Sequence, residues 1–172
     1  MKRSTYKLTI SAIMAALTVV FLYLASVFPT GQLGFVAVAS LFTIAVVIEA
    51  DVKYAVLVYI CCAILAFLLI PLKGAALLYT LFFGYYPIVK SFAERLKSPL
   101  WSWVVKEAVF LAALTVVWFL FRSVVFSGKY LELNPLIVYI GGIVVFTLYD
   151  IGLSRLIGYY VYRLSPKLKR KR

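Results

Sequence analysis

Long apolar runs, separated by short polar or proline- and glycine-containing breaks, constrain this sequence more than any other feature. A helix needs about 20 mainly apolar residues, with a range of about 17–25, to cross the hydrocarbon core of a bilayer. The runs therefore predict an all-α integral membrane protein, with six transmembrane helices and a single transmembrane domain over residues 1–172. The predicted spans are 8–28, 33–48, 54–70, 75–89, 104–126 and 136–162.

The composition excludes several classes of protein. The chain is 65% hydrophobic and 14% charged, whereas soluble domains are about 45–50% apolar and about 25% charged. Histidine is absent, which removes histidine-dependent catalysis and most zinc sites. The two cysteines, Cys61 and Cys62, are adjacent and cannot build a disulfide framework. We expect no enzymatic activity, no catalytic residue, no cofactor and no metal.

The basic residues predict the orientation in the membrane. Of the 18 lysines and arginines, fourteen fall on one side if both termini are cytoplasmic, three fall outside, and Arg155 lies within the last span. Cytoplasmic loops carry such an excess, so we predict a multi-pass protein of a bacterial or archaeal inner membrane with both termini inside. The net charge of +12 is then explained by contact with anionic membrane lipid, which the tail Lys167–Arg172 would reach directly. Nucleic acid is not an expected partner.

One polar stretch interrupts the apolar pattern between the fourth and fifth predicted spans. Apolar residues recur at spacings of three and four from Val89 to Leu96, with charged residues between them. This pattern predicts an amphipathic helix over about 89–98 that lies on the cytoplasmic membrane surface. Trp101 and Trp103 would follow it as an interfacial anchor, and Pro87 would kink or end the fourth span.

The first span carries small residues at helical spacing. Ala12 and Ala16 are four residues apart and share a face, and small residues let helices approach closely in lipid. Packing inside the bundle and docking of a partner are both compatible with this feature. The segment Leu8–Leu17, with its Ala-x-x-x-Ala pattern, resembles the first helix of substrate-binding S components of energy-coupling factor (ECF) transporters.

The resemblance implies a function and a set of partners. S components are six-helix membrane proteins that bind a vitamin or other micronutrient from outside. Their Ala-x-x-x-Ala face docks on a membrane-embedded T component, which is driven by two cytoplasmic ATPase subunits. The expected ligand is a vitamin-like small molecule, and the expected docking residues are Ala12 and Ala16. No Gly-x-x-x-x-Gly-Lys-Ser/Thr run is present, so ATP-driven work would come from those partners.

A substrate pocket would then lie near the outer helix ends. Aromatic walls with a few polar groups suit a small molecule, although tyrosine and tryptophan also anchor helices at the membrane interface. Arg122 could clamp a carboxylate or phosphate, or extend to lipid headgroups. The candidate residues are Gln32, Lys73, Tyr79, Trp118, Arg122, Tyr130, Glu132, Asn134 and Tyr139.

Asp150 is a charged residue inside the last predicted span. A charge in a membrane helix is costly and normally has a partner or a function. We expect an ion pair with Arg155, Lys106 or Lys53 in preference to a proton relay. Two other functions stay open from the sequence: a membrane scaffold protein of the cell-envelope machinery without transport, and a lipid-modifying membrane enzyme.

Overall fold

The computed structural model describes residues 2–96, 98–124 and 135–164, which are helical apart from short connecting turns and contain no strand. By spatial contacts the chain divides into two compact units, Met1–Tyr130 and Leu131–Arg172, and each is described separately. The expected all-α class is confirmed.

Three long helices begin the first unit: α1 (Lys2–Val27), α2 (Gln32–Glu49) and α3 (Val52–Leu69). The breaks fall at the turn signals in the sequence, since Pro29–Gly31 forms a short 3-10 turn and Ala50–Asp51 separates α2 from α3. The three helices pack on one another. Small buried side chains let their backbones approach closely, and they include Ala25, Ala39, Ala55, Cys62 and Ala66.

The stretch predicted as the fourth span is not one continuous helix. It consists of α4 (Lys73–Leu78), a π-helical turn over Tyr79–Phe83, and α5 (Tyr86–Ala93). Pro87 lies in the first turn of α5, where a missing backbone N–H costs nothing because those N–H groups have no partner in the helix. Pro87 therefore helps to begin a helix instead of ending one.

The last helix of this unit, α6 (Pro99–Val124), begins before the predicted span at 104. Proline is well suited to the first helical position, so Pro99 begins the helix and Trp101 and Trp103 belong to it. The predicted amphipathic helix over 89–98 is correspondingly shorter. Helix α5 ends at Ala93, and a turn follows at Glu94–Leu96.

The second unit contains α7 (Pro135–Tyr159), followed by a π-helical turn over Tyr160–Leu164. Phe146, Asp150 and Leu153 are buried, each about 2% exposed. Their spacing of four and then three places them along one side of α7.

Five of the described helices are long and apolar enough to cross a membrane, which is compatible with a multi-pass membrane protein. The sixth crossing and the orientation stay predictions. The five stretches are Ser4–Val27, Gln32–Glu49, Val52–Leu69, Pro99–Phe119 and Leu136–Tyr162.

The turn between α2 and α3 contains a strained residue. Asp51 has φ 134° and ψ 163°, a region that is essentially restricted to glycine. Its carboxylate pairs with Lys7 of α1, and its backbone carbonyl accepts from the N–H of Ala55 at 3.2 Å. The turn is thus tied to the first helix at one end of the bundle.

We expect Asp51→Gly to be more stable than Asp51→Ala by about 1–3 kcal/mol, the usual cost of this backbone conformation. Both variants lose the exposed ion pair with Lys7, which contributes at most about 1 kcal/mol, so their difference reports the backbone alone. The free energy of unfolding in mixed micelles measures it. Equal stability of the two variants would show that Asp51 is not strained.

Candidate functional site

A buried polar cluster lies at mid-depth in the first unit. It contains Thr18 of α1, Thr43 of α2, Cys62 of α3 and Tyr79 of the π-helical turn, all 0% exposed. Thr43 is the twelfth of 18 residues in α2 and Cys62 the eleventh of 18 in α3. Thr43 and Cys62 are therefore far from both ends of their helices, whereas Tyr79 begins the π-helical turn. We call these four residues the mid-depth cluster.

Hydrogen bonds link the cluster to the surrounding helices. The hydroxyls of Thr43 and Tyr79 are 3.4 Å apart, and the thiol of Cys62 adjoins Thr18 and Tyr79. Cys62 Sγ also lies 3.6 Å from the carbonyl oxygen of Ala15, and Thr18 Oγ1 donates to the carbonyl of Met14 at 2.8 Å. Buried polar groups need such partners, and the cluster thereby joins four separate chain segments.

The π-helical turn changes the backbone hydrogen bonds beside this cluster. The N–H of Gly84 donates to the carbonyl of Tyr79, five residues earlier, at 2.7 Å. In an α-helix it would donate to Thr80, four residues earlier. The carbonyl of Thr80 accepts instead from the phenol of Tyr59 on α3, at 2.8 Å. Tyr59 therefore satisfies the carbonyl that the π-helical turn releases.

The same break is packed with aromatic rings. Tyr59 contacts Tyr79 and Tyr85, with ring centroids 6.2 and 6.0 Å apart, and Phe82 contacts Tyr86 and Phe110 at 4.9 and 5.4 Å. Gly84 lies against two of these rings. A Cβ added there would be 2.7 Å from Cδ2 of Tyr59 and 2.9 Å from Cε1 of Tyr79, so only glycine fits without a shift.

The side chains of the mid-depth cluster are uncharged and can interact with a ligand through hydrogen bonds. Its groups are hydroxyl, phenol and thiol, which can donate and accept hydrogen bonds. Among the described residues there is no group of three or more His, Cys, Asp or Glu side chains placed to hold a metal ion. Interrupted helices that are buried in protein form small-molecule sites in many transporters, which makes this region a candidate site.

The sequence-predicted pocket residues are distributed over several parts of the fold. Gln32 and Lys73 begin α2 and α4, while Tyr79 belongs to the mid-depth cluster. Lys73 Nζ donates to the carbonyls of Phe67 and Ile70, at 2.6 and 3.0 Å, and so caps the end of α3. Trp118 is half-buried in α6, and Tyr139 is half-buried in α7 of the second unit. The side chain of Arg122 and all of Tyr130, Glu132 and Asn134 lie outside the described residues.

The predicted docking residues are exposed. Helix α1 packs against α2, α3 and α4, and Ser11 and Thr18 are buried on that side. Ala12 and Ala16 are both exposed on the helix surface. The small-residue pair is thus on the outside of the first unit.

No protein-family model, curated protein or solved structure matches this chain. Its function is therefore inferred from its own residues.

Two lysine side chains of the first unit, those of Lys90 and Lys106, are buried. Lys90 is 1% exposed and pairs with Glu94 at 3.1 Å. Lys106 is 5% exposed, with its ammonium 5.2 Å from the ring centroid of Trp103. Lysine stems bury readily when the charged group is satisfied, and cation–π contacts contribute to that.

Asp150 and Arg155 do not share a face of α7. Asp150 is 2% exposed and its backbone carbonyl accepts from Ser154 Oγ at 2.9 Å, whereas Arg155 is exposed. Residues five apart on an α-helix are separated by about 140° around its axis. Arg155 is therefore not the partner of Asp150, and the expectation of an ion pair with another basic residue stays a prediction.

Thr18, Thr43, Cys62 and Tyr59 were not among the residues predicted from the sequence. The pattern that could have indicated them is the occurrence of polar side chains inside otherwise apolar spans, since such groups in lipid face the protein interior. Cys62 is completely buried, whereas the adjacent Cys61 is exposed. The place of Cys62 in a cluster with Tyr79 depends on the break in the fourth segment, which hydropathy does not indicate.

Proposed function

We propose that this chain is the substrate-binding membrane subunit of an ECF-type transporter that takes up a vitamin-like small molecule. The T component and two cytoplasmic ATPase subunits would be its partners. The multi-helix apolar architecture supports this role, and so does the resemblance of Leu8–Leu17 to the first helix of S components. The protein would act by binding and transport, without catalysis of its own.

The exposed position of Ala12 and Ala16 is the observation that carries the proposal. In lipid there is little hydrophobic drive between helices, so close association depends on small residues that let backbones approach. If this pair served packing inside the bundle, it would be buried by α2 or α3. Both alanines are instead exposed beside the bulky exposed side chains of Ile13 and Leu17, which leaves a shallow groove for a partner helix.

The proposed topology has six crossings with both termini cytoplasmic, and α4, the π-helical turn and α5 together form the fourth. The Lys7–Asp51 pair holds the start of α1 beside the α2–α3 turn, whereas Lys73 caps α3 at its other end. Most basic residues are predicted on the side of the Lys7–Asp51 pair, and this excess supports the assignment of that side to the cytoplasm.

Cysteine labelling tests this topology. In a background without Cys61 and Cys62, a cysteine at Gly128 is expected to react with a membrane-impermeant maleimide applied to intact cells. A cysteine at Ser165 is expected to react only after the cells are opened, because the positive charge retains the C-terminal tail inside. Labelling at Ser165 in intact cells would contradict the topology.

In the first unit the proposed substrate-binding residues are Gln32, Lys73, Tyr79, Trp118 and Arg122. Glu132, Asn134 and Tyr139 of the second unit stay predictions from the sequence. Gln32 and Lys73 both begin helices whose N-termini are at the proposed outer side, where substrate would arrive. Tyr79 lies deeper, in the mid-depth cluster. A polar entrance above an aromatic interior is what a small-molecule pocket requires.

Affinity purification from the native host tests the proposed function. The detergent-solubilised protein should retain an ATPase-bearing complex and a co-purified small molecule, both detectable by mass spectrometry. A membrane scaffold would retain cell-envelope proteins and no small molecule. That result would replace the transport proposal.

A further inference from the structure

Arg155 is a charged side chain on the exposed surface of α7, inside the apolar stretch Leu136–Tyr162. No described residue forms an ion pair with it. Ile151 and Leu148, one and two turns before it, are 42% and 66% exposed. The guanidinium therefore belongs to a surface that is otherwise suited to contact lipid.

The depth of Arg155 follows from the length of the helix. The stretch has 27 residues, or about 40 Å at ~1.5 Å per residue, while the hydrocarbon core is about 30 Å thick. If the stretch is centred, each end extends about 5 Å beyond the hydrocarbon. Arg155 precedes Tyr162 by seven residues, about 10 Å, so its Cα lies about 5 Å below the hydrocarbon boundary.

An arginine at this depth reaches the polar boundary. Its long apolar stem stays among the acyl chains while the guanidinium extends to the headgroup region. In the headgroup region, the negatively charged groups that can pair with the positive guanidinium are the phosphates of the lipids. Guanidinium and phosphate match in charge and also in geometry, because two parallel N–H groups can donate to two phosphate oxygens.

The neighbouring residues on this side of α7 suit the same level of the membrane. Tyr159 and Tyr162, one and two turns beyond Arg155, are 55% and 87% exposed, and exposed tyrosines are enriched at the membrane–water interface. Gly158 lies about one turn beyond Arg155 and has no side chain. A Cβ built on it would meet no atom within 4 Å, so the surface beside the guanidinium is open.

We propose that Arg155 binds the phosphate of a membrane phospholipid, with Tyr159 and Tyr162 contacting the headgroup region of the same leaflet and Gly158 leaving room for it. The proposal requires that α7 crosses a bilayer, but it does not depend on transport or on ECF partners. Either leaflet supplies the phosphate, so it does not depend on orientation.

Lipid titration followed by native mass spectrometry tests the proposal. The purified protein is titrated with phosphatidylglycerol and, separately, with diacylglycerol of the same acyl chains, which lacks the phosphate. The wild type is expected to prefer phosphatidylglycerol, and Arg155→Gln to lower this preference about tenfold, as loss of a charge-assisted contact predicts. Arg155→Lys should retain part of it, because lysine keeps the charge without the paired N–H groups.

Ser154→Ala is the matched control, because Ser154 is the exposed neighbour of Arg155 and its hydroxyl donates to the Asp150 carbonyl of the same helix. Its lipid preference should equal that of the wild type. If Arg155→Gln preferred phosphatidylglycerol over diacylglycerol as strongly as the wild type does, the proposal would be overturned. The same holds if that variant kept its lipid preference and lost a co-purifying protein, because Arg155 would then bind a protein and not a lipid. Flotation of the wild type after carbonate washing checks membrane insertion, and failure to float with vesicles would overturn the premise on which the proposal rests.

Discussion

Gly84→Ala is expected to lower the free energy of unfolding by about 1–3 kcal/mol or more, the range for adding a methyl group to a packed interior. The added Cβ would lie 2.7 Å from the ring of Tyr59 and 2.9 Å from that of Tyr79. Neither ring can move freely, because the phenol of Tyr59 donates to the Thr80 carbonyl and that of Tyr79 lies 3.4 Å from the Thr43 hydroxyl.

Backbone conformation does not explain this expected loss. Gly84 has φ −71° and ψ −41°, which alanine adopts without strain, and alanine in a helix is favoured over glycine by about 0.5–1 kcal/mol. Gly34→Ala is therefore the matched control. Gly34 lies in the first turn of α2 with nothing within 4 Å of an added Cβ, and this variant should be at least as stable as the wild type.

A second substitution tests whether the clash with the Tyr59 ring causes the loss of stability in Gly84→Ala. Tyr59→Ala removes the ring that Gly84→Ala would meet at the shortest distance, so the double variant should be more stable than the sum of the two single effects predicts. Tyr59→Phe keeps the ring and should give a smaller rescue, because the ring still meets the added methyl group but is no longer held by the bond to the Thr80 carbonyl. If Gly84→Ala were as stable as Gly34→Ala, the packing described at the break would be wrong.

Hydropathy predicted the long helices well because each is an uninterrupted apolar run. Helices α2 and α3 differ from the predicted spans by one or two residues at each end. Helix α1 begins several residues earlier, at Lys2, because polar residues continue a helix beyond the hydrocarbon and hydropathy does not register them. Helix α6 begins earlier than predicted, at Pro99, because proline is well suited to the first helical position.

The fourth segment shows what a one-dimensional pattern cannot reveal. Residues 75–89 are apolar enough to predict one span, yet the chain forms a π-helical turn between Tyr79 and Phe83. That turn is stabilised by Tyr59, about twenty residues away, which bonds to the released Thr80 carbonyl. A contact between residues so far apart in the sequence produces no periodic pattern of apolar residues, so hydropathy cannot predict it.

The candidate site was predicted only in part, for a related reason. Tyr79 was selected as an aromatic polar residue, and its partners Thr43 and Cys62 were not, because their proximity depends on how α2, α3 and the break pack together. Lys73 was selected as a ligand-binding residue, and its ammonium is bonded to the carbonyls at the end of α3. The small-residue pair on α1 was easier to identify, since two alanines four residues apart share a face in any α-helix.

Replacement of both Ala12 and Ala16 by leucine is expected to abolish retention of the ATPase-bearing partner while leaving the isolated protein as stable as the wild type. Bulky side chains on this face would keep a partner helix from approaching closely. They would cost little in the free subunit, because both positions are exposed. A buried pair would instead lose about 1–3 kcal/mol per site from overpacking.

The chain offers a matched control for this experiment. Ala108 and Ala112 of α6 are likewise exposed and four residues apart, so their double leucine variant adds the same bulk at the same spacing on a different helix. It should keep both its stability and its partner. Loss of the partner in both double variants would indicate a nonspecific effect of surface bulk and contradict a docking role for α1.

The amount of ATPase retained per mole of each purified protein tests the proposal that this is the substrate-binding subunit of an ECF-type transporter. Retention is expected for the wild type and for the Ala108→Leu/Ala112→Leu variant, and none is expected for Ala12→Leu/Ala16→Leu at unchanged thermal stability. Full retention by the Ala12→Leu/Ala16→Leu variant, or no ATPase with the wild type, would contradict it.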